Sequence, residues 1–378
     1  MRGRHIFFAT CAPGIEPVLH AEAKALRLAK LERQVGGVRF EGTMEDAWRA
    51  NLWLRTAVRV LLRLERFEAL DENALYERVK AFDWAGFVGP EGTFVVDAQT
   101  RDSELNHSRY IEQRVKDAVA DRFRERTGVR PSVDRTDPDL RIHVHIFRNR
   151  ATLSVDTSGD SLHKRGWRRH QGRAPLAETL AAAIVRFSRW DGRAPLVDPF
   201  CGSGTILVEA ALIAANSAPG LFRQQFGFER WPGHEPAAFA RAKDAARALE
   251  RVPGKLQIVG SDVDPARIEE ARENVAAAGL EGRIELQEAD ARDFAPRPGW
   301  NAWIVTNPPY GERVGAVARL VPVYQRFGER VRTGCGGYHL ALLSGEETLA
   351  RALGIAPDER VALVNGALEC ELLLAAVP

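Results

Sequence analysis

Asn307-Pro308-Pro309-Tyr310 is the stretch of this sequence whose residue types and spacing point most directly to chemistry. The prolines fix φ and remove two backbone donors, so the local carbonyls face outward as acceptors, and Asn307 adds a side-chain carbonyl. Such acceptors suit the N–H donors of an exocyclic amino group on a planar base, on which Tyr310 could stack. Holding both hydrogens aims the nitrogen lone pair at an electrophile. The tetrapeptide closes the apolar run Ala302-Trp303-Ile304-Val305, which reads as a buried strand. A rigid loop with an exposed Tyr is the plainer alternative, and three strand ends upstream weigh against it.

The first of these ends is Leu196-Val197-Asp198, an apolar strand that runs through Pro199-Phe200-Cys201 into Gly202-Ser203-Gly204-Thr205 and the helical run Ile206 to Ala215. Gly202 and Gly204 permit φ > 0 and a close approach of backbone to ligand at the carboxyl edge of a parallel sheet. The following helix offers free N–H groups at its first turn, and Asp198 could fix an ammonium or hydroxyl group. The spacing excludes a phosphate loop, because Gly-x-x-x-x-Gly-Lys-Ser/Thr is absent. Ile206 and Leu207 stand where a dinucleotide fingerprint would need its third glycine. The second end follows Leu256 to Gly260, where Asp262 is placed to accept hydrogen bonds from both hydroxyls of a ribose. The third follows the alternating run Ile284 to Gln287, where Ala289-Asp290-Ala291 could meet an adenine edge.

Asp198 to Thr205, Asp262-Val263-Asp264, Asp290 and Asn307 to Tyr310 together resemble the class I S-adenosylmethionine-dependent amino-methyltransferases. The run Asp156 to Arg168, followed by Ala174 to Leu180, is similar to the THUMP-domain RNA methyltransferases, and within them to the bacterial RlmL-type guanine-N2 methyltransferases of large-subunit ribosomal RNA. The resemblance covers nearly the whole chain. Some members carry a second, fused methyltransferase domain, for which this chain leaves no room. What the resemblance implies is S-adenosylmethionine held by Asp198, Phe200, Gly202, Gly204, Thr205, Asp262, Val263, Asp290, Ala291 and Asn307, with no metal. Asn307, Pro308 and Tyr310 would meet the reacting amine. The substrate implied is the N2 of a guanosine in structured RNA, 23S ribosomal RNA above all. Guanine-N2 of tRNA and adenine-N6 of DNA are alternatives served by the same Asn-Pro-Pro-Tyr chemistry, and a non-enzymatic ribosome assembly factor with a silent cofactor fold is a third.

The rest of the chain must position these residues. With 378 residues, 45% of them hydrophobic, it suits two or three domains that each bury a core. A net charge of +2 leaves any nucleic-acid surface to a local patch. Cys11, Cys201, Cys335 and Cys370 are far apart, which suits a reducing cytoplasm and no zinc site. The amino terminus shows no apolar core of signal-peptide length, and no run is apolar enough to cross a membrane.

The expected fold is α/β. Residues 1–65 read as a ferredoxin-like module of βαβαβ-like order, and 66–160 as a second α/β module resembling a THUMP domain, whose family role is RNA binding. His143 and His145 share one strand face there without a third ligand for a metal. Residues 161–173 form a basic linker. Its Lys164, Arg165, Arg168 and Arg169 suit RNA phosphates, and Trp167 suits either base stacking or packing against the sheet. Residues 174–378 read as a Rossmann-like methyltransferase domain, with Pro175 in the first turn of its opening helix and an antiparallel hairpin at Asn365-Gly366. The aromatic-rich stretch 216–253 is read as mostly packing, with a lid as the alternative.

Overall fold

The computed structural model describes residues 3–170, 176–251, 256–297, 299–311 and 316–378. The chain opens with β1 (His5–Thr10), α1 (Glu16–Ala25), β2 (Ala29–Gln34), β3 (Gly37–Gly42), α2 (Met44–Trp53) and β4 (Arg59–Glu68). α2 begins with a capping box in which Thr43 and Asp46 each bond the other's backbone N–H. β2 is absent from the sequence reading, so the order is βαββαβ. Its residues, Ala29-Lys30-Leu31-Glu32-Arg33-Gln34, are half exposed to exposed, as an edge strand paired only with β3 allows. Its alternation, Ala29 and Leu31 against Lys30 and Glu32, is too brief and too rich in helix-forming residues to mark a strand.

A second set of elements follows: α3 (Glu72–Ala81), β5 (Thr93–Arg101), α4 (Ser108–Thr127), β6 (Ser132–Val133), β7 (Leu140–Phe147) and β8 (Arg150–Asp156). β4 pairs antiparallel with β8 from Leu61↔Asp156 to Glu68↔Arg150. That pairing fuses both sets into one eight-stranded sheet of order β2-β3-β1-β4-β8-β7-β5-β6.

The carboxyl-terminal half contains α5 (Glu178–Phe187), β9 (Leu196–Asp198), α6 (Thr205–Ala214), α7 (Pro236–Ala248), β10 (Ile258–Asp262), α8 (Pro265–Ala277) and β11 (Ile284–Glu288). It continues with β12 (Trp303–Thr306), α9 (Ala316–Gly334), β13 (His339–Ser344), α10 (Glu347–Ala352), β14 (Glu359–Asn365) and β15 (Leu368–Ala376). The sheet runs β11-β10-β9-β12-β13-β15-β14, parallel from β11 through β13, with β15 antiparallel to both of its neighbours. This is a Rossmann-like methyltransferase arrangement. β9 lies between β10 and β12, so the chain winds in opposite directions from it and leaves a crevice at its carboxyl end. The terminal hairpin turns through Gly366 and Ala367, with Gly366 at φ +64°. Pro175, expected in the first turn of the opening helix, and the linker's Arg173 lie outside the described residues. No described helix is long and apolar enough to cross a membrane.

The stretch after α6 is a wedge between the halves. Phe226, Phe228, Trp231 and Phe239 are all buried. Phe228 meets Phe239 edge-on at 4.9 Å, and both rings lie within 6 Å of Trp48 on α2, at 5.9 and 5.7 Å. Trp231 meets Phe87 at 5.1 Å. Packing accounts for these rings. Phe228→Ala is therefore expected to cost about 3–5 kcal/mol through the cavity it leaves. Thermal unfolding checks this, and an unchanged melting temperature would mean that the wedge is dispensable.

Candidate functional site

Strand β9 buries Leu196 and Val197 and delivers Asp198 into the crevice with 2% of its surface exposed. Asp198 Oδ1 accepts from the Thr306 hydroxyl at the end of β12 (2.6 Å) and from the Phe200 N–H (3.1 Å). Burial pushes its carboxyl up to about 7, against the pull of these two donors and with a smaller push from Asp262. A cationic ligand group would restore the charge that burial penalises. Thr306, wholly buried, escaped the sequence reading because nothing local marks a strand-end Thr as the partner of a carboxylate 108 positions earlier.

After Asp198 the chain turns through Gly202 at φ +52° and Gly204 at φ +80°, a conformation that side chains other than glycine's adopt at a cost. Asp262, at the end of β10, clasps this turn. Its Oδ2 accepts from the Gly202 N–H and its Oδ1 from the Asp264 N–H, both at 3.0 Å. Each oxygen keeps a further lone pair for a ligand hydroxyl.

A cleft of about 1030 Å³ opens here. It gathers Asp198, Phe200, Gly202, Thr205, Asp262, Val263, Asp290, Ala291, Asn307, Pro308 and Tyr310, every residue expected at the cofactor or the reacting amine except Gly204. Gly204 is buried and faces α8, where an added Cβ would come within 3.2 Å of Ala271 Cβ. It serves by bending the chain and letting α6 approach α8. Phe200 packs edge-on against Phe327 of α9 at 5.3 Å, and Val263 stands at the lip, 62% exposed. Asp290 is held below the usual carboxylate range, first by its side-chain hydrogen bond from Arg292. Leu176, Arg267, Arg319, Leu320 and Val323 also line the cleft and had no distinguishing signal in the sequence.

The Asn-Pro-Pro-Tyr loop forms the wall beyond β12. Tyr324 donates to the Pro309 carbonyl at 3.1 Å, whereas among the described residues the Pro308 carbonyl has no donor. Tyr310 is not the exposed ring of the plainer loop reading. It is half buried, its ring lies against Gly345, and its hydroxyl donates to Asn307 Oδ1. Burial raises its hydroxyl far above the ordinary tyrosine value, so the group stays a donor.

The linker corrects the sequence reading more sharply. Arg165 and Trp167 are 2% and 1% exposed. Arg165 Nε faces Glu209 of α6 at 3.2 Å. Arg168 sends Nη2 to the Leu176 carbonyl (2.7 Å) and the Thr205 hydroxyl (2.5 Å), while its Nε faces Glu178 at 3.3 Å. Arg165 and Arg168 are thus interior framework, each paired with a carboxylate from a helix far along the chain, and Trp167 is packed inside beside them. Lys164 and Arg169 remain exposed.

Comparison with known proteins adds to this geometry. The RMKL-like methyltransferase domain family matches residues 165–373, the THUMP domain 69–156 and the RlmL ferredoxin-like domain 6–61. Ribosomal RNA large subunit methyltransferase K/L of Methylococcus capsulatus is 44% identical over 379 residues, covering 97% of this chain and 50% of that protein. The chain spans about half the length of the curated relatives it matches. Among solved structures, SMU.472 complexed with SAH has a TM-score of 0.90 at 31% identity, covering 100% of this chain and 99% of that one. A predicted N6-adenine-specific DNA methylase from Listeria monocytogenes has a TM-score of 0.90 at 31% identity, covering 100% and 97%.

Asp198 makes stability depend on pH. Its folded carboxyl, at about 7, holds a proton that the unfolded chain releases near 3.8. The folded state thus binds more protons between those values, and this group's contribution to stability is lost as pH rises from about 4 to about 7, staying lost above. Asp198→Asn is expected to flatten that slope in thermal unfolding of the ligand-free protein. An identical slope in wild type and variant would mean that Asp198 is ionised throughout.

Proposed function

The chain belongs to the RMKL-like methyltransferase family, and from that membership we propose that it transfers a methyl group from S-adenosylmethionine to the exocyclic N2 of a guanosine in structured RNA, with large-subunit (23S) ribosomal RNA as the target. The observation that carries this reading is the meeting of the outward acceptors of Asn307 and Pro308 with the Asp198, Gly202 and Asp262 turn in one cleft at the switch point of the sheet. The residues fit the cofactor: a buried carboxyl that gains from a cationic neighbour, a second carboxylate with lone pairs to spare, and backbone N–H groups at the start of α6.

When bound, S-adenosylmethionine supplies a methyl group already activated by its sulfonium. Asp198 would meet the ammonium of its amino-acid end, Asp262 would accept from the ribose hydroxyls, and Ala291 and Asp290 would lie beside the adenine. Asn307 Oδ1 and the Pro308 carbonyl hold the hydrogens of the target amine. They stabilise the positive charge that grows on its nitrogen, so no strong base is required. The Tyr310 hydroxyl fixes which end of the Asn307 amide is presented. The Tyr310 ring, seated on Gly345, also lines the cleft, where it would meet the base.

The same acceptors would hold adenine N6, the chemistry named for the Listeria relative. The THUMP match and the exposed Lys164 and Arg169 support RNA instead. A cytoplasmic site of action is part of the proposal, supported by four free cysteines.

Methyl transfer from labelled S-adenosylmethionine to deproteinised ribosomal RNA, tRNA and DNA, followed by nucleoside digestion and mass analysis, tests the proposal. Labelled N2-methylguanosine from large-subunit RNA is expected, and label in N6-methyladenine would replace the base while keeping the cofactor. Asn307→Ala is expected to lower turnover by about 10²–10³-fold, as loss of a charge-stabilising acceptor does, and cofactor affinity by far less. Equal loss of both would remove Asn307 from the reacting amine.

A further inference from the structure

α8 carries a side chain that its own packing does not explain. Asn274 is fully buried on the face where Ile268, Ala271 and Val275 are apolar, a place suited to another aliphatic residue. An amide taken out of water is costly unless its hydrogen bonds are replaced. Here all four are. Asn274 Oδ1 accepts from the backbone N–H groups of Arg169 (2.7 Å) and His170 (3.1 Å) in the linker. Its Nδ2 donates to the His170 carbonyl (3.3 Å) and to the Ser203 carbonyl (3.0 Å), the middle of the glycine turn.

Resting on the cofactor reading above, we propose that Asn274 is a positioning residue that locks the glycine turn of the cofactor cleft to the linker. It lies outside the residues lining the cleft, so it acts through Ser203. The turn needs such a lock because its two positive-φ glycines are the residues with the most backbone freedom to lose. The turn is pinned at Gly202 by Asp262, at Ser203 by Asn274 and at Thr205 by Arg168. Two of these three pins join it to the linker that follows the eight-stranded sheet. Removing the Asn274 pin lets the turn sample other conformations before the cofactor arrives. That weakens binding and leaves the transfer step, performed by the Asn307 loop, in place.

Two near-isosteric substitutions separate this role from plain packing. Asn274→Asp keeps an acceptor for the Arg169 and His170 N–H groups and loses the donor to Ser203. Asn274→Leu loses both and suits the apolar face. In the full chain, titration calorimetry with S-adenosylmethionine is expected to show Kd raised about three- to tenfold in both, the worth of one neutral hydrogen bond. Turnover on RNA at saturating cofactor should stay within about twofold of wild type, since an interaction lost equally from the bound ground state and the transition state leaves turnover unchanged. Unchanged Kd in both variants overturns the proposal. So does a parallel fall of affinity, turnover and melting temperature in both, or failure of both to fold, which would assign Asn274 to the helix core alone. Failure of the wild-type chain to bind S-adenosylmethionine would instead remove the proposed function, and this role with it.

Discussion

Arg165 carries its charge into the junction between the two halves of the chain. There Nε faces Glu209, Nη1 donates to the Leu162 carbonyl at 2.7 Å and Nη2 donates to the Arg55 carbonyl. Arg55, equally interior, reaches the carbonyls of Leu212 and Ser217 from the amino-terminal half. Its guanidinium is pushed down to about 10 by burial, with Glu209 acting in the opposite sense. Removing one partner of such a buried pair strands the other, a loss of about 3–5 kcal/mol. The path of residues 161–170 follows from this junction. With Arg165 anchored, Arg168 is delivered to Thr205, and the backbone of Arg169 and His170 to Asn274.

The cleft uses the same economy of groups. Each carboxylate at a strand end serves the fold before it serves a ligand: Asp198 ties β9 to β12 through Thr306, and Asp262 ties β10 to the glycine turn. Their environments differ, so their chemistry does too. Asp198, out of reach of water, is the one whose charge waits on a cationic neighbour. Asp290 keeps its charge beside Arg292, which any adenine amino group must share with it.

Strand ends were legible in the sequence because they join two local signals, an apolar run and a polar or glycine-rich break. That is why Asp198, Asp262, Asp290 and Asn307 could each be marked as strand-end candidates; the family resemblance joined them into one site, and one cleft gathers them. What stayed hidden depends on partners far along the chain. The charge of Arg165 and Arg168 suggested solvent or phosphate, but their neutralising carboxylates, Glu209 and Glu178, lie on helices that no spacing rule connects to the linker. Asn274 and Thr306 carry no local sign of the distant groups they bond. β2 escaped because its alternation runs only from Ala29 to Glu32, in residues that suit a helix equally well.

The β4–β8 pairing joins the two amino-terminal modules edge to edge. Because it closes the gap between two modules with a ladder of backbone hydrogen bonds, the amino-terminal half is a single beam with no hinge across its width. Eight strands at about 4.8 Å spacing make that beam roughly 34 Å wide. The aromatic wedge and the Arg165 junction clamp it to the half that holds the cleft. The separation between the eight-stranded sheet and the cleft is thereby set by packing inside the protein, through Trp48 against Phe228 and Arg165 against Glu209.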